Sequence, residues 1–433
     1  MSADHAPHRP PGQRAPQPGR AGTRARRRSP APARWGAPQA GRADRQHASA
    51  GFRPAALDFP AAIASNSGAS VASCRGAASG PDAWPGGPHR RKPVQPQKGY
   101  SMQQRKLGAT GPEIGAIGYG AMSFSDMYGP TDEAESHAIL DACRDWGVTH
   151  LDTANVYGMG KSERAIGSYL ARNPGAREAF VIATKATITR DADGNRRLDN
   201  SAEHLEAELD KSLQRMGIEC VDLIYAHRRD PRFTPEETAA NLGRLVEKGK
   251  ARAIGLSEVA PATLRRAMRS FPVAAVQSEY SLSTRYPELG LVQTCAELGV
   301  ALVAFSPVGR SLLTDAPIAP DRIPDLPFLS GNPRFREPNL SANLAITQGF
   351  RDLARDMGTS AAALANAWLL SRGDHVISIP GTRSVAHFRE CVDGAALTLG
   401  PEALARIDAV LPVGWAHGDR YSDAQWIGPE RYC

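Results

Sequence analysis

The sequence has little cysteine and no long apolar run, and these two absences exclude several classes of protein. Its six cysteines lie far apart with no C-x-x-C pair, which argues against a structural zinc site or a disulfide framework and suits a reducing cytosol. No run approaches the ~18 to 20 apolar residues that span a bilayer. No apolar segment follows the N-terminal arginines, so a secretory signal is not expected. We therefore expect a cytoplasmic protein with no membrane partner.

Acidic residues are scarce near the N-terminus. Residues 1–100 contain 16 Lys and Arg against 4 Asp and Glu, which leaves 36 basic and 41 acidic residues for the rest. The segment is rich in Pro, Ala, Gly and Arg without strand or helix periodicity, so we expect residues 1–101 to form a disordered basic extension. Such a segment could bind nucleic acid or membrane lipid, or act as a transit peptide. We favour a solvated tail or an upstream extension from a misassigned start, because the segment carries no motif and Met102 opens a regular domain. No nucleic-acid partner is therefore expected.

Residues 102–433 carry the regular pattern of an α/β protein. A short β-hairpin is predicted around a Gly-Ala-Thr-Gly turn, with arms at 103–107 and 113–114. Eight apolar strands then alternate with helices. The predicted strands are 116–120, 150–152, 180–185, 221–227, 251–257, 274–277, 301–305 and 375–380. The predicted helices are about 132–146, with Thr131 as N-cap, 162–172, 201–216, 235–248, 261–270, 288–298, 340–357 and 360–371. This alternation over roughly 300 residues favours a closed (β/α)8 TIM barrel over an open sheet.

Polar residues follow the apolar bodies of most of these strands. Asp152, Lys185 and His227 end three consecutive strands, and Ser257 and Gln277 end the next two. Chemistry in such barrels lies at the C-terminal strand ends. Since a buried polar group costs ~1 to 3 kcal/mol when unpaired, the repetition predicts a shared polar pocket.

Four residues, Asp152, Tyr157, Lys185 and His227, predict a proton-delivery site. Singly, each has a simpler explanation: a turn cap, a tyrosine packed on the rim, a solvated lysine and a structural histidine. Together, at three adjacent strand ends, they favour proton donation to a carbonyl oxygen, because a nearby ammonium held by a carboxylate makes a phenol a better acid. His227 could donate a hydrogen bond that orients the carbonyl. With no metal-ligand cluster and no nucleophile beside its base, the hydride would come from a cofactor.

From about Gln103 to Ala409 the chain resembles the aldo-keto reductase superfamily of NADP-dependent barrel oxidoreductases. Residues 152–158, Asp-Thr-Ala-Asn-Val-Tyr-Gly, are similar to the superfamily's Asp-Thr-Ala-x-x-Tyr-Gly signature, and 184–185 and 225–231 match the segments that bear its Lys and His. The resemblance implies reduction of aldehydes or ketones to alcohols, with NADPH/NADP+ as cofactor. It implies that Tyr157 is the general acid, that Lys185 and Asp152 tune it, and that His227 orients the substrate.

The resemblance also implies a nicotinamide site. Residues 255–258 are similar to a Gly-x-Ser-Asn segment whose Ser and Asn hold the carboxamide, and here Glu258 replaces the Asn. Gln277 matches a glutamine that meets the same group. Phe305 stands where an aromatic ring stacks on the nicotinamide, for which only the face of the ring is needed.

The remaining cofactor residues lie in two loops. Residues 306–310 are similar to a run that wraps the pyrophosphate. Residues 379–383, with His387 and Glu390, resemble the segment that grips the adenosine 2′-phosphate and adenine, where Arg383 offers a forked donor and Cys391 replaces a usual Asn. The implied cofactor-binding residues are Ser257, Gln277, Phe305, Ser306, Pro307, Val308, Gly309, Arg310, Gly381, Thr382, Arg383, His387 and Glu390.

The sequence limits the substrate to a small carbonyl compound. We expect its pocket to be bounded by 122–128, the loop after His227 and a Pro-rich insertion at 312–339. The insertion contains two aromatic and two basic residues, Phe328, Phe335, Arg334 and Arg336. It is interpreted either as a lid that favours an aromatic or anionic group or as an ordered surface excursion. The sequence does not decide between a monomer and a homo-oligomer. Two other functions also remain as alternatives: a cofactor-binding regulatory subunit with little turnover, and a nucleic-acid-binding protein with an ancillary barrel.

Overall fold

The computed structural model describes residues 102–191 and 193–431. The predicted extension, residues 1–101, lies outside them and stays a prediction. The described chain opens with the expected hairpin, formed by antiparallel β1 (Gln104–Lys106) and β2 (Glu113–Gly115). Leu107 and Ile114 are fully buried and belong to the same apolar cluster as the barrel interior, so the hairpin closes one end of the barrel.

Eight parallel strands form the barrel. They are β3 (Tyr119–Gly120), β4 (His150–Asp152), β5 (Val181–Ala186), β8 (Leu223–Ala226), β9 (Ile254–Ser257), β10 (Val273–Glu279), β11 (Ala301–Phe305) and β12 (Val376–Ile379). Each pairs with the next in that order. The ring closes through a parallel bridge between Ile117 and Ser378, with Gly118 N donating to Ser378 O at 2.7 Å. The predicted (β/α)8 barrel is confirmed.

Between β5 and β8 lies a second hairpin that the sequence pattern did not predict. Its strands are β6 (Ile188–Arg190) and β7 (Arg196–Leu198), which pair antiparallel. The segment is short and strongly charged, so it lacks the apolar alternation by which strands are recognised. It stands on the C-terminal rim, directly after the strand that carries Lys185.

The helices cover the outside of the barrel. They are α1 (Glu133–Asp145), α2 (Lys161–Arg172), α3 (Ala176–Ala179), α4 (Ala202–Met216), α5 (Pro235–Glu247), α6 (Pro261–Ala267), α7 (Leu291–Leu298), α8 (Pro327–Ser330), α9 (Asn339–Asp356), α10 (Ala361–Leu370), α11 (Val385–Asp393) and α12 (Pro401–Val410). The sequence analysis did not predict α3, α8, α11 or α12. The prediction of Thr131 as the N-cap of α1 is wrong: Asp132 caps it, accepting from Glu135 N at 2.8 Å while the Glu135 side chain accepts from Asp132 N at 3.3 Å.

The barrel has two apolar layers that follow from strand periodicity. Alternate residues such as Val181 and Ala183 of β5, or Leu223 and Tyr225 of β8, point into the interior cluster. Their neighbours, such as Ile182 of β5, join the larger cluster between strands and helices. Because both faces of each strand are buried, the strands are mostly apolar, and their polar residues lie mainly towards the C-terminal ends.

Two further observations concern the cysteines and the length of the apolar helices. Of the cysteines in the described residues, Cys143, Cys295 and Cys391 are free and buried. Among the helices of the described residues, none combines the length and apolarity needed to cross a bilayer.

Candidate active site

The four residues of the predicted proton-delivery site meet at the C-terminal rim of the barrel. The Lys185 Nζ donates to an Asp152 carboxylate oxygen, to Thr153 O at 2.9 Å and to the Tyr157 hydroxyl at 3.3 Å. The Tyr157 ring packs edge-on against the His227 imidazole, with 5.8 Å between centroids and an interplanar angle of 84°. The barrel therefore joins three strand ends and one loop phenol in a single cluster.

Local hydrogen bonds fix the loop that carries Tyr157. Its backbone N–H donates to Ala154 O at 3.1 Å, which makes a tight turn directly after β4. At the start of α2, the Ser162 hydroxyl lies 2.8 Å from the Thr153 hydroxyl and donates to Ala121 O at 2.8 Å. The phenol is thus held by buried bonds at both ends of the loop while its ring stays partly exposed to the cavity.

The electrostatics of the site keep Lys185 charged. Burial by itself lowers the pKa of this fully buried lysine, but the Asp152 carboxylate and the Tyr157 hydroxyl together raise that pKa above its ordinary value. Asp152 is in turn held from the other side, since Gln277 Nε2 donates to its second carboxylate oxygen at 2.8 Å. The ammonium therefore points at the phenol oxygen in a fixed geometry.

The surroundings of His227 favour the neutral form of its imidazole. Burial, followed by the positive charges of Arg228, Lys185 and Arg196, holds the pKa of His227 well below its ordinary value. Its Nδ1 finds no hydrogen-bond partner within the described part of the chain. A neutral imidazole can donate one hydrogen bond from a ring nitrogen without carrying charge into the pocket.

A cavity of about 790 Å³ opens above this cluster. Asp152, Tyr157 and His227 line it, while Lys185 lies behind them. Most of the predicted cofactor residues also line it: Gln277, Phe305, Ser306, Pro307, Val308, Arg310, Gly381, Thr382, Arg383, His387 and Glu390. Ser257 and Gly309 do not reach it. Ser257 instead accepts a hydrogen bond from Arg228 Nη1 at 3.1 Å.

The turn after β11 has an unusual backbone. Ser306, Gly309, Arg310 and Ser311 all have positive φ, between 53° and 86°. Such left-handed turns direct successive N–H groups to one side and form concave anion sites. The Arg310 guanidinium does not lie free in the cavity, because it pairs with Glu279 at 2.5 Å and is buried.

The loop after β12 lies against the end of β3. A Cβ on Gly381 would come within 2.3 Å of Gly120 O, so only glycine permits this approach. Tyr119 donates from its hydroxyl to Thr382 O at 2.7 Å. The contact positions Arg383, whose Nη1 donates to Pro130 O at 2.5 Å and which forms no ion pair with another described residue.

The residue at the usual Asn position has a different role. Glu258 has a φ of 58° and is fully buried, and its carboxylate accepts from Glu279 N at 2.8 Å and pairs with Arg420 at 2.6 Å. Although burial favours its neutral form, Arg420 and then Arg228 lower the pKa of Glu258 below its ordinary value. The side chain is fully engaged in a buried ionic cluster, and so it does not face the cavity.

The two basic residues singled out in the Pro-rich insertion, Arg334 and Arg336, do not line the cavity, whereas Asp315 and Arg322 of the same insertion do. Phe328 lines the cavity and packs edge-on against Tyr128 at 5.7 Å. Arg334 is buried elsewhere, donating to Thr284 Oγ1 at 2.7 Å, and Arg336 is exposed.

Sequence analysis missed several residues that line the cavity, namely Arg190, Arg196, Arg228, Arg322, Tyr421 and Gln425. Arg228 was visible in the motif around His227. The others lie in segments without periodicity, so no sequence signal marked them.

Comparison with known proteins identifies the class. The model of the aldo/keto reductase family matches residues 116–412, a span that contains all four residues of the proton-delivery site. The chain belongs to this family of oxidoreductases. The family uses NADPH, in agreement with the cofactor expected from the sequence.

Relatives and solved structures agree with this assignment. The chain is 35% identical over 325 residues to an aldo-keto reductase from Schizosaccharomyces pombe whose name specifies NADP(+), covering 74% of this chain and 95% of the relative. It is 35% identical over 321 residues to a probable aldo-keto reductase of Glycine max, covering 74% and 92%. A glycerol dehydrogenase from Gluconobacter oxydans superposes with a TM-score of 0.63 at 26% identity, covering 71% of this chain and 94% of that one. A thermostable aldo-keto reductase in complex with the inhibitor epalrestat gives 0.57 at 27% identity, covering 71% and 100%.

Proposed function

We propose that this protein reduces an aldehyde or ketone to an alcohol with NADPH, and that Tyr157 supplies the proton. The observation that carries the proposal is the Tyr157 hydroxyl, which lies 3.3 Å from a buried ammonium and beside a neutral imidazole at the floor of a large cavity. The name of the Schizosaccharomyces pombe relative, which specifies NADP(+), supports the same reaction.

Each residue of the cluster has a distinct part in delivering the proton. Tyr157 gives its hydroxyl proton to the carbonyl oxygen. Lys185 stabilises the phenolate left behind, because its charge lies within hydrogen-bond distance and is shielded from water. Asp152 keeps that ammonium in place, and His227 donates a hydrogen bond that orients the carbonyl oxygen towards the phenol.

The residues around the cavity fit a dinucleotide phosphate. The cavity extends from Tyr157 and His227 to Arg383, all of which line it. The left-handed turn at 306–311 offers backbone N–H groups to a phosphate. Phe305, at the end of β11, presents a partly exposed ring to the same cavity. NADPH, when bound, supplies the hydride that the reduction requires.

A steady-state assay tests the function. Purified protein with NADPH and a reactive aromatic aldehyde such as 4-nitrobenzaldehyde should oxidise NADPH at a rate that depends on the aldehyde, with one alcohol formed per NADPH. Tight NADPH binding without turnover on a broad set of aldehydes and ketones would contradict the proposal and favour a regulatory, cofactor-binding subunit.

Arg383 is expected to select NADPH over NADH. Since a charge-assisted hydrogen bond contributes ~1.5 to 3 kcal/mol, Arg383→Ala should raise the dissociation constant for NADPH by about tenfold to a hundredfold and leave that for NADH nearly unchanged. Quenching of intrinsic fluorescence measures both constants. Arg389→Ala in α11, the helix that follows the loop carrying Arg383, is the matched control, because Arg389 pairs with Asp393 at 2.6 Å. Equal losses for the two cofactors would show that Arg383 does not contact the 2′-phosphate.

A further inference from the structure

One wall of the cavity carries an arginine without a counter-charge. Arg196 of β7 lines the cavity and is only partly exposed, yet it forms no ion pair or side-chain hydrogen bond within the described residues. Buried charges in proteins are normally paired, because removing an ion from water is costly. An unpaired guanidinium in a substrate cavity therefore points to a ligand.

The hairpin places a second arginine directly opposite the first. Arg190 and Arg196 face each other across the β6–β7 ladder, and Ile188, Arg190 and Arg196 all line the cavity. Like charges directly opposite on paired strands destabilise a hairpin. Arg197, which points to the other face, pairs with Asp191 at 2.9 Å. The hairpin thus pairs its outer arginine and leaves two arginines on the cavity side: Arg196, and the exposed Arg190, whose Nη1 donates to Gly194 O at 2.7 Å.

A third arginine lies at the floor of the same wall. Arg228 directly follows His227, lines the cavity and is 9% exposed. One of its terminal nitrogens donates to His227 O and to Ser257 Oγ, but its Nε has no partner in the described structure. Burial, and then the charge of Arg228, lower the pKa of Arg196 to about 10, as expected for two positive groups that lie close together.

The hairpin and the loop after β8 are rigidly joined at their bases. Asn200 Nδ2 donates to Thr187 Oγ1 at 2.8 Å and to Arg228 O at 3.3 Å. Asn200 Oδ1 also accepts from Asp230 N at 2.6 Å. All of these groups are buried, so the base of the hairpin has a fixed position beside the loop that carries His227.

We propose that the substrate carries an oxyanion, a carboxylate or a phosphate, in addition to its carbonyl group, and that Arg196 binds this anion with Arg228 and Arg190. This inference rests on the proposed function and names the substrate class of that same site. Guanidinium groups suit both anions, because their forked donors match two oxygens at once. The anion would then hold the carbonyl end against Tyr157 and His227.

Matched substrate pairs test the proposal. The first pair is 4-carboxybenzaldehyde and its methyl ester, which differ in charge while keeping the same aldehyde. The second is glyceraldehyde 3-phosphate and glyceraldehyde. For at least one pair, wild-type protein should show a kcat/KM about tenfold or more higher for the anionic member, the size expected for a charge-assisted hydrogen bond. The pair with the larger ratio identifies the anion.

Arg196→Gln should lower the ratio of kcat/KM for the anionic substrate to kcat/KM for its neutral partner by about tenfold. Arg197→Gln, which removes the same charge from the opposite face of the hairpin, should keep the wild-type ratio. The dissociation constant for NADPH is measured in the same variants. A ratio near one in wild-type protein, or a ratio that Arg196→Gln leaves unchanged, overturns the proposal while the reductase function stands. A rise in the NADPH dissociation constant equal to the fall in the ratio also overturns it, since Arg196 would then bind the cofactor.

Binding of the reaction product gives a readout that does not need turnover. Titration of 4-(hydroxymethyl)benzoate into the NADP+ complex should show an affinity that falls about tenfold in Arg196→Gln and is retained in Arg197→Gln. Equal affinity in wild-type protein and Arg196→Gln contradicts a carboxylate site. If no carbonyl compound is reduced at all, the proposed function fails, and this titration still decides whether the arginines bind the anion.

Discussion

Tyr157→Phe is expected to reduce kcat for a reactive aldehyde by about 10²- to 10⁴-fold, the usual contribution of a positioned general acid. The phenylalanine ring keeps the edge-on packing against His227 but removes the hydroxyl that Lys185 Nζ contacts at the cavity floor. Single-turnover measurement of NADPH oxidation, in which product release plays no part, gives the effect on the chemical step.

The binding of NADPH provides the internal control for this variant. Since the phenol is assigned to proton transfer, the dissociation constant for NADPH should stay close to the wild-type value. Tyr169→Phe is a matched control outside the site, because its hydroxyl is bonded to Asp141 at 2.6 Å, and it should retain turnover. A Tyr157→Phe protein that keeps wild-type single-turnover rates would show that the proton comes from another group.

Arg420→Met is expected to lower the free energy of unfolding by about 3 to 5 kcal/mol, as is typical when one member of a buried ion pair is removed. Arg420 is fully buried and pairs with Glu258 at 2.6 Å, and it lies 3.6 Å from Glu279. The carboxylates outweigh the effect of burial and raise the pKa of Arg420 well above its ordinary value. Urea denaturation followed by circular dichroism measures the loss.

A double variant separates lost charge from lost packing. Because the cost of Arg420→Met arises from leaving the Glu258 carboxylate uncompensated, Arg420→Met combined with Glu258→Gln should be less destabilised than Arg420→Met alone. Arg265→Met removes an arginine from an exposed pair with Glu297 and should barely move the urea midpoint. A double variant that is less stable than Arg420→Met alone would contradict an ionic origin of the effect.

The same cluster ties the C-terminal segment to the active site. Arg310, in the turn after β11, pairs with Glu279 and donates to Arg420 O at 2.8 Å. Tyr421, the next residue, lines the cavity. Loss of Arg420 is therefore expected to act both on global stability and on the position of residues that line the cavity.

The barrel and the cluster of Asp152, Tyr157, Lys185 and His227 could be predicted because they depend on local order in the chain. Continuous apolar strands give the parallel sheet, and a parallel sheet brings consecutive strand ends together at one rim. Polar residues at three such ends had to become neighbours. Other expectations depended on contacts that no local pattern encodes, such as the burial of Arg334 away from the cavity.

The sequence by itself thus determined the fold, the cluster of Asp152, Tyr157, Lys185 and His227, and the family resemblance, since each follows from periodicity or from a motif of adjacent residues. Only the tertiary structure decided that Glu258 is held by Arg420 and that Gln277 bonds Asp152, because both contacts join residues far apart in the chain. It also decided which face of the β6–β7 hairpin turns towards the cavity. A one-residue change of register would have exposed Arg196 and turned Arg197 inwards. In the structure Arg197 pairs with Asp191 on the outer face, and Asn200 bonds Thr187 beneath the hairpin.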